Sequence, residues 1–144
     1  MSKEKISIRA VGLVIDRNQI LAVQENDSLW CFPGGRQELG ETQPDAIMRE
    51  LNEEVNLHVI PVRLLYIAEF MSGDGHVVEF YWLCSCHNTE YEIPKDEKSV
   101  IAARWIPMEQ LHNNPILPEL VKKKVICDYK EFPVLAEYLG TRSA

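Results

Sequence analysis

The chain has 144 residues, 46% of them hydrophobic, and a formal net charge of −7 at pH 7. That size suits one ordinary domain with a real core, and no break in composition separates two units, so we expect a single domain over residues 1–144. The acidic balance argues against nucleic acid polymers as partners, because their binding depends largely on Lys and Arg contacts to phosphate. It is compatible with cation binding.

Membrane association and export are not expected. No run approaches the 18 or more apolar residues of a membrane span, and the start, MSKEKISIRA, lacks the pattern of a secretory signal. We therefore expect a cytoplasmic protein. The cysteines show no CxxC or Cys/His ligand spacing, which predicts free thiols rather than disulfides or zinc ligands; they are Cys31, Cys84, Cys86 and Cys127.

The N-terminal part of the chain has the pattern of β-strands. Residues 6–15 and 20–23 are rich in β-branched and aliphatic side chains, and the turn formers at 16–18 between them predict a hairpin. Residues 30–32 form a short extended segment. Pro33-Gly34-Gly35 should end it in a turn, because proline lacks an amide hydrogen and glycine allows positive φ.

A helix is predicted over residues 42–55. Thr42 is a good N-cap residue, and Pro44 falls in the first turn, where a missing amide hydrogen costs little. Ile47, Leu51 and Val55 lie four residues apart, so they share one face of the helix and point into a core.

Two long strands, 59–70 and 76–86, follow this helix. The segment Ser72-Gly73-Asp74-Gly75 between them is a strong hairpin signal. Residues 87–99 are mostly polar and predict a loop, and residues 100–106 form another strand candidate.

The C-terminal third shows helical patterns at 107–113 and over much of 117–139. Strands on both sides of an early helix, followed by terminal helices, predict an α+β fold in which a mixed β-sheet is flanked by helices, an α/β/α sandwich.

The predicted helix carries an acidic stripe. Glu50, Glu53 and Glu54 stand at i, i+3 and i+4 and share one face, where like charges destabilise an isolated helix by a few tenths of a kcal/mol per pair. A divalent cation would remove this repulsion, and hard oxygen ligands suit Mg²⁺ or Mn²⁺. A solvated acidic face is the commoner explanation of such a run, so the stripe alone does not decide between the two.

The residues around the stripe carry a more specific pattern. They read Gly35-x5-Glu41-x7-Arg49-Glu50-Leu51-x-Glu53-Glu54-x-x-Leu57, flanked by Pro33-Gly34 and containing Glu38-x-Gly40. This pattern resembles the signature box of the Nudix hydrolases and implies their fold. Asn56 stands where that box normally has glycine. Asparagine readily adopts the left-handed conformation that a helix C-terminus favours, so this departure leaves the metal ligands in place.

The resemblance implies a Mg²⁺ or Mn²⁺ cofactor. The residues that match the metal-binding glutamates of the family are Glu50, Glu53 and Glu54, with the carbonyl of Gly35 as a further ligand. The implied reaction is attack of a metal-activated water on a phosphorus atom of a diphosphate linkage.

The resemblance also assigns catalytic and positioning roles. Arg49 and Glu41 match the pair that orients the helix and the preceding loop against each other. The general base in this family comes from the box or from a loop ahead of a late strand, which makes Glu53 the first choice here and Glu97 the second. For Glu97, an ordinary charge in a polar loop stays an open alternative.

The substrate class implied is a small nucleotide. Arg36 can meet an anion, and Glu38 lies in the same loop, so we expect both to contact the substrate. Subfamily marks for ADP-ribose or dinucleoside polyphosphates are missing around Gly73-Asp74-Gly75, so nucleoside triphosphates and nucleoside diphosphate sugars stay open. Aromatic side chains that could stack on a base are more often core residues; they are Trp30, Tyr66, Phe70, Phe80 and Trp82.

Three functions stay open at this point. A pyrophosphohydrolase acting on a small nucleotide is favoured by the intact box. A Nudix-fold ligand sensor or interaction module without chemistry would be expected to lack a box glutamate. An RNA 5′ pyrophosphohydrolase would need a basic groove, which a net charge of −7 does not indicate. The pattern leaves homodimer formation open.

Overall fold

The computed structural model describes residues 5–73 and 75–143. The strands are β1 (Ile6–Asp16), β2 (Gln19–Glu25), β3 (Trp30–Cys31), β4 (Gly34–Arg36), β5 (Val59–Ser72), β6 (Gly75–Cys86), β7 (Val100–Pro107), β8 (Ile116–Leu117) and β9 (Glu137–Ser143). The helices are α1 (Gln43–Val55), the 3₁₀ helix η1 (Met108–Asn113) and α2 (Glu119–Asp128). Asp74 of the predicted β5–β6 turn lies outside the described residues.

A mixed β-sheet forms the middle layer. Its strand order is β8-β3-β2-β1-β6-β5-β9, with β4 also on β1 and β7 also on β2. The pairs β1–β6, β3–β8 and β5–β9 are parallel. One core cluster includes Ile47 and Leu51 of α1, and the other includes Val121 of α2 and Leu111 of η1. The sheet thus lies between helices, which confirms the predicted α+β sandwich.

The first two strands form the predicted hairpin and then separate. Arg17 and Asn18 have φ values of 48° and 63°, as a two-residue turn requires when it joins twisted strands. β1 pairs with β2 only next to the turn, at Ile15↔Ile20 and Asp16↔Gln19. The earlier part of β1 pairs with β6 and β4, and β2 pairs with β7. The two strands therefore diverge, and a gap opens between the two halves of the sheet.

Helix α1 forms as its sequence predicts. Thr42 Oγ1 accepts a hydrogen bond from the Asp45 amide at 3.2 Å. Asn56 ends the helix in the left-handed conformation, φ 53° and ψ 38°, and its amide donates to the Asn52 carbonyl. Leu51 and Val55 are fully buried. The asparagine in place of the usual glycine therefore fulfils the backbone requirement of the position.

The segment after β3 differs from its prediction. The extended segment ends before Pro33, as predicted, but the turn expected at Pro33-Gly34-Gly35 is wrong, because Gly34–Arg36 form strand β4, antiparallel to β1. A Cβ atom on Gly34 would lie 2.2 Å from the Ala10 carbonyl oxygen. The glycine therefore permits a close approach of two strands rather than a reversal of the chain.

The C-terminal prediction is also partly wrong. Helix α2 ends at Asp128, and Glu137–Ser143 form β9, parallel to β5. Pro133 lacks the amide hydrogen that a continuing helix would need. The long-range partners of β9 favour a strand: Tyr138 Oη donates to Glu69 at 2.6 Å, and Glu137 lies 3.1 Å from Lys124 Nζ.

Two further expectations concern thiols and membranes. All four cysteines are free, as predicted. No helix in the described ranges is long and apolar enough to cross a membrane.

Candidate active site

Arg49 is the centre of an ion-pair network at the start of the acidic stripe. Its Nε and Nη2 donate to the two carboxylate oxygens of Glu41, at 2.6 and 2.9 Å, and Nη2 also donates to the Arg36 carbonyl at 3.0 Å. The Arg49 hydrogen bonds lower the pKa of Glu41 to about 2. Two charge-assisted bonds in a fork geometry hold the loop before α1 against the helix. The contact between Arg49 and Glu41 is the one that the family resemblance implies.

Glu50 lies directly against Gly35 of β4. Arg49 Nη1 donates to Glu50 Oε1 at 2.9 Å, and the Glu50 side chain is 16% exposed. A Cβ atom on Gly35 would lie 2.5 Å from the Glu50 carboxyl carbon and from Oε1. Glycine at this position leaves the space that the carboxylate occupies.

Gly35→Ala is expected to displace the Glu50 carboxylate without unfolding the chain, because the clashing atoms are at the end of a rotatable side chain. If Glu50 binds a divalent cation, Mn²⁺ affinity measured by titration calorimetry should fall about tenfold, the lower end of the range for disturbed ligand orientation. Gly73→Ala is the control, because a Cβ atom there would meet nothing within 4 Å. Unchanged Mn²⁺ affinity in Gly35→Ala would contradict the assignment.

Glu54 is buried on the inner side of the stripe, with 5% of its surface exposed. Burial raises the pKa of Glu54 to about 10, aided by a hydrogen bond with Glu50 and by the negative charges of Glu50, Glu97 and Glu25. The carboxyl therefore keeps its proton in the metal-free protein at neutral pH. These neighbours come from β2, α1 and the loop before β7, so the fold gathers acidic side chains around Glu54.

The raised pKa of Glu54 predicts a pH-dependent cost to stability. Below the unfolded-state pKa near 4.5 the group is protonated in both states and costs nothing. Between that value and about 10 only the folded state holds the proton, so stability falls as the pH rises. We expect Glu54→Gln to raise the melting temperature in EDTA by at least roughly 3 °C at pH 8 and by little at pH 4. The exposed Glu90→Gln should shift neither melt, and an equal gain at both pH values would contradict the burial argument.

The two candidate bases lie in different surroundings. The Glu53 side chain is 54% exposed, and its Oε2 lies 3.4 Å from Arg49 Nη1. Glu97 Oε2 accepts from the Ser99 amide, the Ser99 hydroxyl and the Val100 amide, each at 2.7 Å. Burial alone would raise the pKa of Glu97, but these hydrogen bonds outweigh it and lower the pKa below its ordinary value. Glu97 is therefore a fixed, ionised group, and Glu53 is freer to move.

The predicted substrate contacts lie in the loop before α1. Arg36 is exposed at the end of β4, next to a shallow pocket of about 360 Å³ that Glu38 also lines. Glu38 Oε1 lies 3.8 Å from Arg49 Nη1. Glu38 thus contributes to the Arg49 network, and a role of either residue in substrate binding stays a prediction.

The donor set fits a hard divalent cation, although the side chains would have to rearrange. Carboxylate oxygens are the ligands that Mg²⁺ and Mn²⁺ prefer, and Gly35 leaves room beside Glu50. As the side chains stand, residues 5–73 and 75–143 contain no group of three or more His, Cys, Asp or Glu that could hold a metal ion. Cation binding therefore requires Glu50 and Glu53 to turn from Arg49 and Glu54 to lose its proton.

A cleft of about 440 Å³ borders the acidic side chains around Glu54, in the gap where β1 and β2 diverge. Glu25 of β2 and Cys31 of β3 line it. Burial, followed by the charges of Glu25 and Glu54, raises the pKa of the Cys31 thiol. The cleft and the acidic face of α1 are therefore neighbours.

The sequence prediction missed the charged residues of the cleft. Arg9 of β1 and Glu79 of β6 line the cleft. Phe70, one of the aromatic residues considered for stacking on a base, lines it as well. The available signal was alternation, since Arg9 stands in phase with the core residue Val11 and Glu79 with the core residue Tyr81. A charge at an inward-facing strand position indicates either a buried pair or a binding site.

The NUDIX domain family model matches residues 7–129. The chain belongs to the Nudix family. Nudix hydrolase 6 of Arabidopsis thaliana is 27% identical over 121 residues, which are 79% of this chain and 43% of that protein. An 8-oxo-dGTP diphosphatase of Proteus vulgaris is 30% identical over 89 residues, which are 58% of this chain and 79% of that protein.

Solved structures support the Nudix fold. The crystal structure of an ADP-ribose pyrophosphatase from Streptococcus suis matches with a TM-score of 0.70 and 22% identity, over 94% of this chain and 98% of that one. A Nudix hydrolase from Nitrosomonas europaea matches with a TM-score of 0.76 and 14% identity, over 96% of this chain and 79% of that one. The chain spans 43%, 37% and 49% of the Arabidopsis Nudix hydrolases 6, 5 and 2.

Proposed function

We propose that this Nudix chain hydrolyses a diphosphate linkage of a small nucleotide, with Mg²⁺ or Mn²⁺ as cofactor. One observation carries the proposal. The fold brings the box carboxylates Glu50 and Glu54 together with Glu97 and with Glu25, and Glu25 lines a cleft of about 440 Å³ that can receive the group attached to the diphosphate. That volume lies within the usual range of small-molecule sites.

The relatives support the reaction class. Proteins named 8-oxo-dGTP diphosphatase and ADP-ribose pyrophosphatase both act, by their names, on phosphoanhydride bonds of nucleotides. A net charge of −7 favours a small nucleotide over an RNA chain, because polymer binding needs many cationic contacts to phosphate.

Each box residue has a role that its position supports. Glu50, Glu53 and Glu54 would hold the cation, with the Gly35 carbonyl as a further ligand. When bound, the cation lowers the pKa of a water molecule and neutralises charge on the phosphate oxygens. Arg49 and Glu41 keep the loop and helix in register, and the exposed Arg36 guanidinium is placed to meet a phosphate.

The attacking water must lose a proton to a carboxylate. Glu53 is our first choice because it is the most exposed of the three box glutamates and its contact to Arg49 is long, at 3.4 Å. Glu97 is the second choice, because its hydrogen bonds fix it close enough to Glu54 for its charge to raise the Glu54 pKa. The proton moves from the water oxygen to the carboxylate as the new P–O bond forms and the bridging P–O bond breaks.

A hydrolysis screen tests the proposal. The chain is incubated with Mg²⁺ or Mn²⁺ and with nucleoside triphosphates, nucleoside diphosphate sugars, ADP-ribose and an RNA oligonucleotide carrying a 5′ triphosphate. Products are identified by ³¹P NMR in ¹⁸O-labelled water. We expect a nucleoside monophosphate product and one ¹⁸O atom in a product phosphate.

The alternatives predict different outcomes. Turnover of the RNA alone would replace the small-nucleotide substrate by an RNA 5′ end. Saturable nucleotide binding without turnover would favour a ligand sensor that keeps the fold without chemistry. Turnover that is unchanged in EDTA would contradict the role of the cation.

A further inference from the structure

The cleft contains one charged pair in an otherwise largely apolar wall. Arg9 Nε lies 2.9 Å from Glu79 Oε2, and Val11, Phe32, Phe70 and Val77 are among the apolar residues around it. Arg9 and Glu79 are Cα partners on the parallel strands β1 and β6, so their side chains leave the same face of the sheet. The pair is thus built into the sheet and is not a chance contact of two flexible side chains.

Glu79 is held in place from behind. The Tyr81 hydroxyl donates a hydrogen bond to Glu79 Oε1, and Tyr81 itself is 1% exposed. The Glu79 side chain is 14% exposed and that of Arg9 is 34% exposed, so both retain contact with the cleft. The other oxygen, Oε2, faces Arg9, so the carboxylate is held from two sides and its remaining lone pairs point in fixed directions.

The pair keeps unused hydrogen-bonding capacity. Although Arg9 Nε is close to Glu79 Oε2, it is buried and makes no aligned hydrogen bond within the described ranges. That atom is out of reach of a ligand, but the guanidinium carries further N–H donors on Nη1 and Nη2, and the Arg9 side chain is 34% exposed. A ligand that offers an acceptor to Arg9 and a donor to Glu79 would complete both groups.

The charge of the cleft indicates which part of the substrate enters it. Arg9 is neutralised by Glu79, and Glu25 adds a negative charge at the same cleft. A phosphate would be repelled there, so the uncharged end of the nucleotide is the better occupant. Apolar walls favour a flat heteroaromatic base over a sugar covered with hydroxyl groups.

We propose that the Arg9–Glu79 pair recognises the nucleobase through a lactam edge, an N–H beside a carbonyl, as guanine and uracil present. This inference rests on the proposed function, in which the diphosphate lies at the box glutamates and the attached base enters the cleft. Arg9 donates to the base carbonyl, and Glu79 accepts from the adjacent N–H. A lactam N–H is more acidic than the exocyclic amine of adenine or cytosine, and a carboxylate binds the more acidic donor more strongly.

Binding of nucleoside monophosphates to the metal-free chain tests the inference separately from catalysis. GMP, UMP, AMP and CMP are titrated by calorimetry in EDTA, with ribose 5-phosphate as the ligand without a base. We expect GMP and UMP to bind at least about tenfold more tightly than ribose 5-phosphate, which corresponds to one charge-assisted hydrogen bond. AMP and CMP should bind more weakly than GMP and UMP.

Variants assign the effect to the pair. Glu79→Gln should weaken GMP and UMP binding about tenfold and leave ribose 5-phosphate unchanged, and Arg9→Met should do the same. Tyr81→Phe, which releases Glu79 but keeps the ring, should reduce the preference for GMP over AMP. The controls Arg17→Met and Glu90→Gln lie at exposed positions outside the cleft lining and should bind all ligands as the parent chain does.

The outcomes separate the two proposals. Equal binding of the four monophosphates and ribose 5-phosphate, or an equal effect of Glu79→Gln on all ligands, would overturn base recognition by this pair even if the chain hydrolyses nucleotides. Selective loss of GMP and UMP binding in a chain that hydrolyses none of the screened compounds would support base recognition and overturn the hydrolase proposal. Melting curves and circular dichroism establish that each variant is folded.

Discussion

Glu53→Gln is expected to lower turnover at least about a hundredfold while leaving the fold intact. Loss of a general base costs 10²–10⁴-fold in typical enzymes. Glutamine forms helices as well as glutamate does, and the Glu53 side chain is 54% exposed, so no core contact is lost. The 3.4 Å contact with Arg49 is an exposed pair of little energetic value. Steady-state kinetics with the best substrate of the screen, together with a melting curve, measures both parts.

Glu97→Gln is the comparison that distinguishes the two candidate bases. Glutamine keeps an acceptor oxygen for Ser99 and Val100, so the turn before β7 should persist although the charge is lost. If Glu53 is the base, Glu97→Gln should reduce turnover less than Glu53→Gln and should keep the acidic limb of the pH–rate profile. The reverse order would transfer the role to Glu97, and parent-like turnover in Glu53→Gln would end its assignment. The exposed Glu90→Gln serves as the charge control.

Local patterns in the sequence predicted the helix that carries the site. The N-cap at Thr42, the spacing of Leu51 and Val55 and the left-handed Asn56 all depend on residues within a few positions of one another. The Glu41–Arg49 contact was accessible only through the family resemblance, because the two residues are eight positions apart and meet through the loop. Short-range signals of this kind survive in a single sequence.

Long-range contacts explain what the sequence did not predict. Glu137–Ser143 form strand β9 because they pair with β5, and the local sequence pattern of residues 117–139 does not indicate this pairing. The Arg9–Glu79 pair depends on the register of β1 and β6, and the two residues are about half the chain length apart in sequence. The charges around Glu54 likewise come in part from β2 and from the loop before β7. The stripe appears uniform in sequence, yet Glu54 is buried and Glu53 is largely exposed.

Divalent cations are expected to raise the melting temperature far more than sodium chloride does at equal ionic strength. Glu50 and Glu54 share one site, and Glu54 holds a proton in the metal-free protein because burial and the neighbouring negative charges disfavour its ionised form. A cation that neutralises these carboxylates should therefore stabilise the folded state. A ligand that binds only the folded state stabilises it by about 2.7 kcal/mol at a hundredfold excess over its dissociation constant. For a domain of this size that corresponds to roughly 8 °C.

The triple variant of Glu50, Glu53 and Glu54 to Gln should lose this response and, in EDTA at pH 8, should be at least as stable as the parent chain, because it removes the cost of keeping Glu54 protonated. A second triple variant, with Glu90, Glu92 and Glu131 changed to Gln at exposed positions, changes the net charge equally and should keep the full response. A solvated acidic face predicts only a weak salt effect that sodium chloride reproduces. Equal shifts with MgCl₂, MnCl₂ and sodium chloride, both with and without GMP present, would therefore remove the physical basis for a metal site on α1.

Because binding requires Glu54 to lose its proton, the shift in melting temperature with Mn²⁺ should also grow between pH 6 and pH 8, and the triple box variant should show no such growth.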